Sequence, residues 1–179
     1  MKTFSKLIFS LASVAILSSC GSLPYDRQTL VPMVEEISSI SSSEIMFLAE
    51  ANFAISEPSK SCADFKRGAY VQTADEVIVF EYNSDSQALE QFHSIKFDDL
   101  DYIGVHRAGI ADLVNQLRFI DDRAWLTVAI TKRKDIVAGS KREITPAIES
   151  LKKNGLEILE GAPVVTNNRA CNFQLIIIS

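Results

Sequence analysis

The sequence predicts an α+β protein that is mainly β, with a helix near each end of its globular part. Three observations lead there. Ile45, Phe47, Ala49, Ala51, Phe53 and Ile55 alternate without a miss, as a half-buried strand requires. Short apolar runs punctuated by polar turns then continue to about residue 131. A helical pattern with proline near its start and glycine at its end follows. Hydrophobic residues make up 47% of the 179 residues and charged residues 23%. That balance excludes a wholly disordered chain, and the length suits one domain. A net charge of -5 gives nucleic acid no electrostatic foothold.

The elements follow in order. Leu30, Met33, Val34 and Ile37 have helical spacing, and Pro32 is tolerated only in a first turn, so this helix is expected to start near Val31. Ser38 to Ser43 is a serine-rich break. Ser41 with Glu44 fits a capping box that would open a helix, but the uninterrupted alternation favours a strand over Ile45–Ile55. Residues 56–67, with Pro58, form a loop that carries Cys62. Ala69–Thr73 and Val77–Tyr82 are strand-like runs joined at Ala74-Asp75. The polar stretch 83–91 reads as loop, His93–Phe97 as a short strand, Asp98-Asp99 as a turn, and Tyr102–Val105 as its continuation. Leu113–Ile120 and Ala124–Thr131 flank a hairpin turn at Asp121-Asp122-Arg123, with Ala124, Leu126, Val128 and Ile130 on one face and Trp125 on the other. Thr145 is placed as an N-cap with Pro146 as first helical residue. Ile144, Ile148 and Leu151 supply the apolar side of that helix. Asn154-Gly155 ends it, with Leu156 folding back on Leu151 in a Schellman motif. Phe173–Ile178 is a continuous apolar run, read as a final buried strand.

One strand, a series of hairpins and a late helix resemble the pleckstrin-homology-like family, including its GRAM and bacterial members. The resemblance covers about residues 44–154. It rests on Ser43-Glu44 before the first strand, on Gly68-Ala69-Tyr70-Val71-Gln72-Thr73, and on His93-Ser94-Ile95-Lys96-Phe97-Asp98-Asp99-Leu100. It implies a bent antiparallel sheet or partly open barrel closed by the C-terminal helix. The N-terminal helix, the insertion at 83–91 and the apolar tail depart from that pattern. They leave a cystatin-like arrangement, a helix followed by an antiparallel meander, as the alternative.

The N-terminus carries an address. Lys2 and Lys6 precede an eleven-residue apolar stretch, Leu7 to Leu17. That is too short for a bilayer span, which needs about 20 residues, and suits a signal peptide. Leu17-Ser18-Ser19-Cys20 resembles a bacterial lipobox. The resemblance implies a signal peptide over 1–19 and diacylglycerol plus an N-acyl chain on Cys20. Residues 20–29 would then be a lipidated tether and 30–179 a single globular domain. The acyl chains would suffice for stable anchoring. Gly21, where an Asp would resemble an inner-membrane retention signal, favours the periplasmic side of the outer membrane in a Gram-negative cell. Loss of Lys2 and Lys6 with no acid takes the charge from -5 to -7, so lipid rather than surface charge would hold the domain to the membrane. That envelope compartment is oxidising, and Cys62 and Cys171 are the minimum for one disulfide. Such a bridge would close a loop of about 110 residues, worth roughly 4–5 kcal/mol in the chain-entropy picture. Two separate buried thiols are the other reading.

Little in the chain points to chemistry. His93 and His106 are the two histidines, too few for an ordinary zinc site. There is no Gly-x-Ser-x-Gly, no Cys-x-x-Cys and no glycine-rich phosphate loop. Asp98, Asp99 and Asp101 lack the spacing and glycine of a calcium loop and read as a β-bend. Neither catalytic nor metal-binding residues are therefore assigned, and no cofactor is expected beyond the lipid on Cys20. Lys132, Arg133, Lys134, Lys141 and Arg142 form the one basic cluster, either a patch for an anionic partner or a solvated loop. The first inter-strand loop holds only Lys60, Lys66 and Arg67, so the phosphoinositide binding of many pleckstrin-homology-like domains is not carried over. The expectation is a non-enzymatic, membrane-anchored envelope lipoprotein that binds another envelope protein or lipid. The alternative is a carrier or sensor of a lipid or other apolar ligand in the barrel, provided Phe80, Leu117 and Leu126 do not fill it, and an envelope hydrolase ranks last.

Overall fold

A computed structural model describes residues 23, 27–58, 60–108, 114–131, 139, 141–163 and 165–167. Helix α1 (Arg27–Ile37) leads into strand β1 (Phe47–Ser56). After the short β2 (Cys62–Ala63) come β3 (Lys66–Gln72), β4 (Glu76–Asn83), β5 (Ala88–Lys96), β6 (Tyr102–Ala108), β7 (Val114–Ile120) and β8 (Trp125–Ile130). Helix α2 (Lys141–Lys153), β9 (Ile158–Glu160) and β10 (Thr166–Asn167) follow. Eight strands form one sheet in the order β5-β4-β3-β1-β8-β7-β6-β9, while β10 and β2 pair separately and in parallel. The chain is thus mainly β with two helices. β1 lies in the middle of the sheet, antiparallel to β3 on one side and β8 on the other.

Period-2 alternation sends neighbouring residues of these strands into two different cores. Phe53, Tyr70, Val77, Val79, Leu117, Phe119, Leu126 and Val128 belong to one core. Ala69, Val71, Ile78 and Phe80 belong to the other. Helix α2 covers the first face with Ile144, Ala147, Ile148 and Leu151, and α1 covers the second with Leu30 and Val34. One polar link joins helix to sheet inside the first core: Gln72 Nε2 donates to the Tyr70 hydroxyl (2.6 Å) and to the Ala147 carbonyl of α2 (3.2 Å).

The strand reading of residues 45–55 holds from Phe47, while Ile45 precedes the strand and packs in the α1-side core, and half of the capping pair holds too. Glu44 Oε2 accepts the Ser41 N–H (2.7 Å) and the Glu44 N–H returns to the Ser41 carbonyl (3.0 Å). The pair closes a turn rather than opening a helix, because a helix would scatter the alternating apolar residues around its circumference.

Several element boundaries differ from the sequence reading; the stretch 56–67, read as loop, holds β2 and the first residues of β3. The stretch 83–91 is not all loop, since β5 begins at Ala88 and Leu89 is buried against the α1 face. The turn itself is short: the Asn83 side chain accepts the N–H groups of Asp85 and Ser86. A bulge explains why β5 escaped the pattern. Val79 pairs with His93 but Phe80 with Gln91, so Phe92 is an extra residue. The extra residue flips the faces, and Leu89 joins one core while Ile95 joins the other.

Both helices also start earlier than their prolines suggest. α1 begins at Arg27 rather than near Val31, with Pro32 inside it. α2 begins at Lys141, so Thr145 is no N-cap; its Oγ1 donates to the Lys141 carbonyl (2.6 Å). In each helix the proline is the sixth residue. The carbonyl left without its N–H donor belongs to Gln28 or Arg142, both exposed in the first turn, where water reaches it. The end of α2 is as expected. Leu156 N–H donates to Leu151 O (3.2 Å), Gly155 N–H donates to Lys152 O (3.0 Å), and Gly155 has φ 81°. Cys171 and the run Phe173–Ile178 lie outside the described residues.

Two predictions follow from the sheet. A Cβ at Gly68 would sit 1.7 Å from the Phe80 carbonyl oxygen, a backbone atom that cannot step aside. Gly68→Ala is expected to destabilise by about 3 kcal/mol or more. Gly155→Ala, with open space and only a positive φ to satisfy, should cost about 1 kcal/mol. Urea titration of both variants checks the contrast. The second concerns Glu50, buried on β1 and paired with Arg67. Burial pushes its carboxyl above the ordinary 4.5, against the pull of Arg67. The folded state therefore holds this proton more tightly than the unfolded chain does. The stability this supplies is complete below pH 4.5 and is lost as pH rises through the raised folded value. Denaturation across that window should show the wild type losing stability relative to Glu50→Gln, which has no proton to release.

Candidate functional site

At one end of the sheet, the connection from β1 to β3 stands away from the strands and leaves an open groove of about 890 Å³. Ser56, Glu57, Lys60, Cys62, Asp64 and Lys66 contribute to it from that connection and its flanking strands, Phe92 from the β5 bulge, and Arg123 from the β7–β8 turn. The bulge matters here. It turns Phe92 outward, 39% exposed, with its ring 5.5 Å from that of Phe53 in the core below. The β7–β8 turn is fixed by Asp121, whose Oδ1 accepts the N–H groups of Arg123 (2.7 Å) and Ala124 (2.6 Å).

The cations around the groove have carboxylate partners. Lys60 pairs with Glu57 at 2.6 Å, Lys66 with Glu81 at 2.9 Å, and Arg67, behind the groove, with Glu50. Arg123 lies 3.6 Å from Asp122, both well exposed. The groove therefore presents mixed apolar and polar chemistry, with its positive charge already balanced.

Cys62 lies in the groove wall and is disulfide-bonded. Beside it, Thr166 N–H donates to the Ser61 carbonyl (2.8 Å), so β10 docks along β2. Ala63 and Phe65 pack with Val165 on Ala54, covering β1 at this end.

The chain leading from β9 to β10 lies against the sheet face opposite α2. Gly161 and Ala162 N–H both donate to the Val105 carbonyl. His106 Nδ1 donates to the Ala162 carbonyl (2.6 Å), which can only accept and so fixes the proton on Nδ1. Gln116 and Val165 exchange two bonds, Nε2 to Val165 O (2.8 Å) and Val165 N–H to Oε1 (3.0 Å). A side chain at Gly104 would meet the Ala162 Cβ at 2.7 Å, so glycine is what lets this segment lie flat.

Under and beside that segment the sheet face is polar. Cross-strand register places Ala54, Thr127, Arg118 and Gly104 in one row, and Ser56, Trp125, Ile120 and Tyr102 in the next. Arg118 is 1% exposed, and its Cζ lies 4.9 Å from the centre of the Trp125 ring. Among the described residues, none of its three guanidinium nitrogens has a hydrogen-bond partner, nor do Thr127 Oγ1 and Ser56 Oγ. Desolvation lowers the Arg118 pKa, with Tyr102 opposing.

The residues singled out from sequence are dispersed. Cys20, Cys171, Lys132, Arg133 and Lys134 lie outside the described residues. Lys141 and Arg142 are exposed in the first turn of α2, where the helix dipole disfavours positive charge. Asp98 and Asp99 sit in a 3₁₀ turn, Phe97–Asp99. Among the described residues, no group of three or more His, Cys, Asp or Glu is arranged to hold a metal ion. The Arg118 cluster was not anticipated. Its residues sit at alternate strand positions that normally face water, and the segment covering them has no periodic signature.

No family model matches the chain, and no curated protein matches it significantly. Among solved structures it is similar to one from a study of the structural role of the PH and C1 domains of the Vav1 exchange factor. That match has 8% identity, covers 71% of this chain and 31% of that one, and has a TM-score of 0.44. A Vav1 structure inhibited by an allosteric inhibitor gives 6% identity, 71% and 32% coverage and a TM-score of 0.46. The hSac2 domain from human phosphoinositide phosphatase Sac2 gives 12% identity, 80% and 95% coverage and a TM-score of 0.44. The chain spans about a third of the two Vav1 chains, and its structural neighbours include proteins that contain a PH domain.

Proposed function

We propose that this chain is a non-enzymatic binding module of pleckstrin-homology-like architecture, held at a bacterial cell envelope by lipid on Cys20, and that it docks an envelope protein in the groove beside Cys62. The groove carries this reading: it combines an outward-turned phenylalanine, balanced charge and a disulfide-bonded wall. A bridge from Cys62 to Cys171 would fix that wall. Such a surface suits a protein partner better than a highly charged headgroup, because each cation in the β1–β3 connection already has a carboxylate. For the same reason phosphoinositide recognition is not part of the proposal. The pleckstrin-homology-like reading is supported by the central β1, flanked by two antiparallel hairpin series, and by α2 packed on one face of the sheet.

The apolar-carrier alternative finds less support. Leu117 and Leu126 are fully buried in the α2-side core with Phe53, Tyr70 and Phe119, while Phe80 faces the α1 side. A ligand in the sheet interior would have to displace these side chains.

A photo-crosslinking amino acid at position 92 of the full lipoprotein in living cells tests the proposal, with position 36 on α1 as the remote control. A protein adduct at 92, absent at 36 and lost on Arg123→Glu in the same chain, is expected. Adducts to lipid or glycan alone would overturn the protein-docking reading in favour of the carrier. Absence of any adduct at 92 would overturn the groove as the contact surface.

A further inference from the structure

A guanidinium stays charged at any pH a protein meets. A charge buried without a partner is costly, and stable proteins meet it with an opposite charge. Arg118 stands as an exception on the polar face of the sheet: 1% exposed, with Nε and both terminal nitrogens lacking a hydrogen-bond partner. Its surroundings are not an apolar accident. The hydroxyl of Thr127, its cross-strand neighbour on β8, is buried without a partner, and so is that of Ser56 one row along on β1. Three side chains on one face thus hold unused hydrogen-bonding capacity within two strand rows.

We propose that Arg118, Thr127 and Ser56, roofed by Trp125, form a receptor for the carboxylate of a small organic acid. The indole covers one face of the guanidinium, with Cζ 4.9 Å from the ring centre. The N–H edge of the guanidinium plane, away from the indole, is where a ligand finds the unused donors. A carboxylate is planar and accepts two parallel bonds in that plane. Thr127, directly across from Arg118, supplies a further hydroxyl donor, and Ser56 another one row along on the same face. A carboxylate here would neutralise the buried charge and give the guanidinium the partners it lacks among the described residues. The site does not depend on what occupies the groove, although Ser56 borders both.

The chain carries its own reporter, since Trp125 is its single tryptophan. Fluorescence of the full-length protein is titrated with sodium acetate, with sodium chloride holding ionic strength constant. A saturable change is expected for the wild type and none for Arg118→Met. Acetate should raise the wild-type Tm and leave that of Arg118→Met unmoved. Arg118→Lys keeps the charge but loses the fork, and should weaken the acetate response at least about tenfold; it also serves should the methionine variant fail to fold. Wild type and variant responding alike, or a wild-type signal that never saturates, would overturn the site. An equal response to inorganic phosphate would overturn its assignment to carboxylates.

Discussion

A sheet buried on both faces has to be covered twice, and most of this chain's architecture answers that requirement. Alternation along β3 sends Tyr70 to one side and Ala69 and Val71 to the other, so neither side can be left to water. Helix α2 covers one face. No single element covers the other. At one end α1 supplies Leu30 and Val34, and at the far end Val165, Ala63 and Phe65 close over Ala54. Between these covers runs the buried pair Glu50–Arg67, and the segment from β9 to β10 lies over the rows that hold Gln116 and Arg118.

The two faces are chemically unequal, and this decides how each cover is attached. The α2 face is almost entirely apolar, so a helix with one apolar stripe suffices. The opposite face beneath the β9–β10 segment bears Asn52, Ser56, Gln116, Arg118 and Thr127, all buried. The cover meets part of this need with backbone, whose N–H and C=O groups pair with Gln116, and leaves Ser56 Oγ, Thr127 Oγ1 and the Arg118 guanidinium without partners among the described residues. Gln116 uses both ends of its amide on Val165 for this purpose. The same logic calls for glycine at 104, because backbone reaches a sheet closely only where no side chain intervenes.

What was legible in the sequence followed this division. Residues facing the α2 core read correctly because apolar alternation and the stop at Gly155 are local signals. The Ser41–Glu44 pair was visible too, but its interaction serves a turn as readily as a helix. The helix starts were misplaced because proline marks where a donor is missing, not where a helix must begin. An exposed first turn tolerates the missing bond when it brings Ile144 or Leu30 into a core. β5 was hidden by the extra residue at Phe92, since a bulge resets the period that pattern reading assumes. The Arg118 cluster had no local signal at all. An arginine between Leu117 and Phe119 reads as the wet side of a strand until the cover 40 or so residues downstream is known.

The bulge and the polar face also set how binding chemistry is distributed. Had β5 kept a regular period, Phe92 would not be the unpaired residue of the ladder, and the groove would lack its apolar contact. Around it, positive charge is cancelled locally by Glu57, Glu81 and Asp122, so the rim offers shape and mixed polarity rather than a net field. A buried cation without a partner among the described residues, Arg118, sits instead on the covered face beside Trp125, where low polarity would strengthen any ion pair it makes. A guanidinium presents its donors in a fixed plane, so a charge of this kind favours partners by geometry as well as by sign. The two proposed contacts thus differ in kind: a buried guanidinium on the covered face, and mixed polarity with an exposed phenylalanine in the open groove.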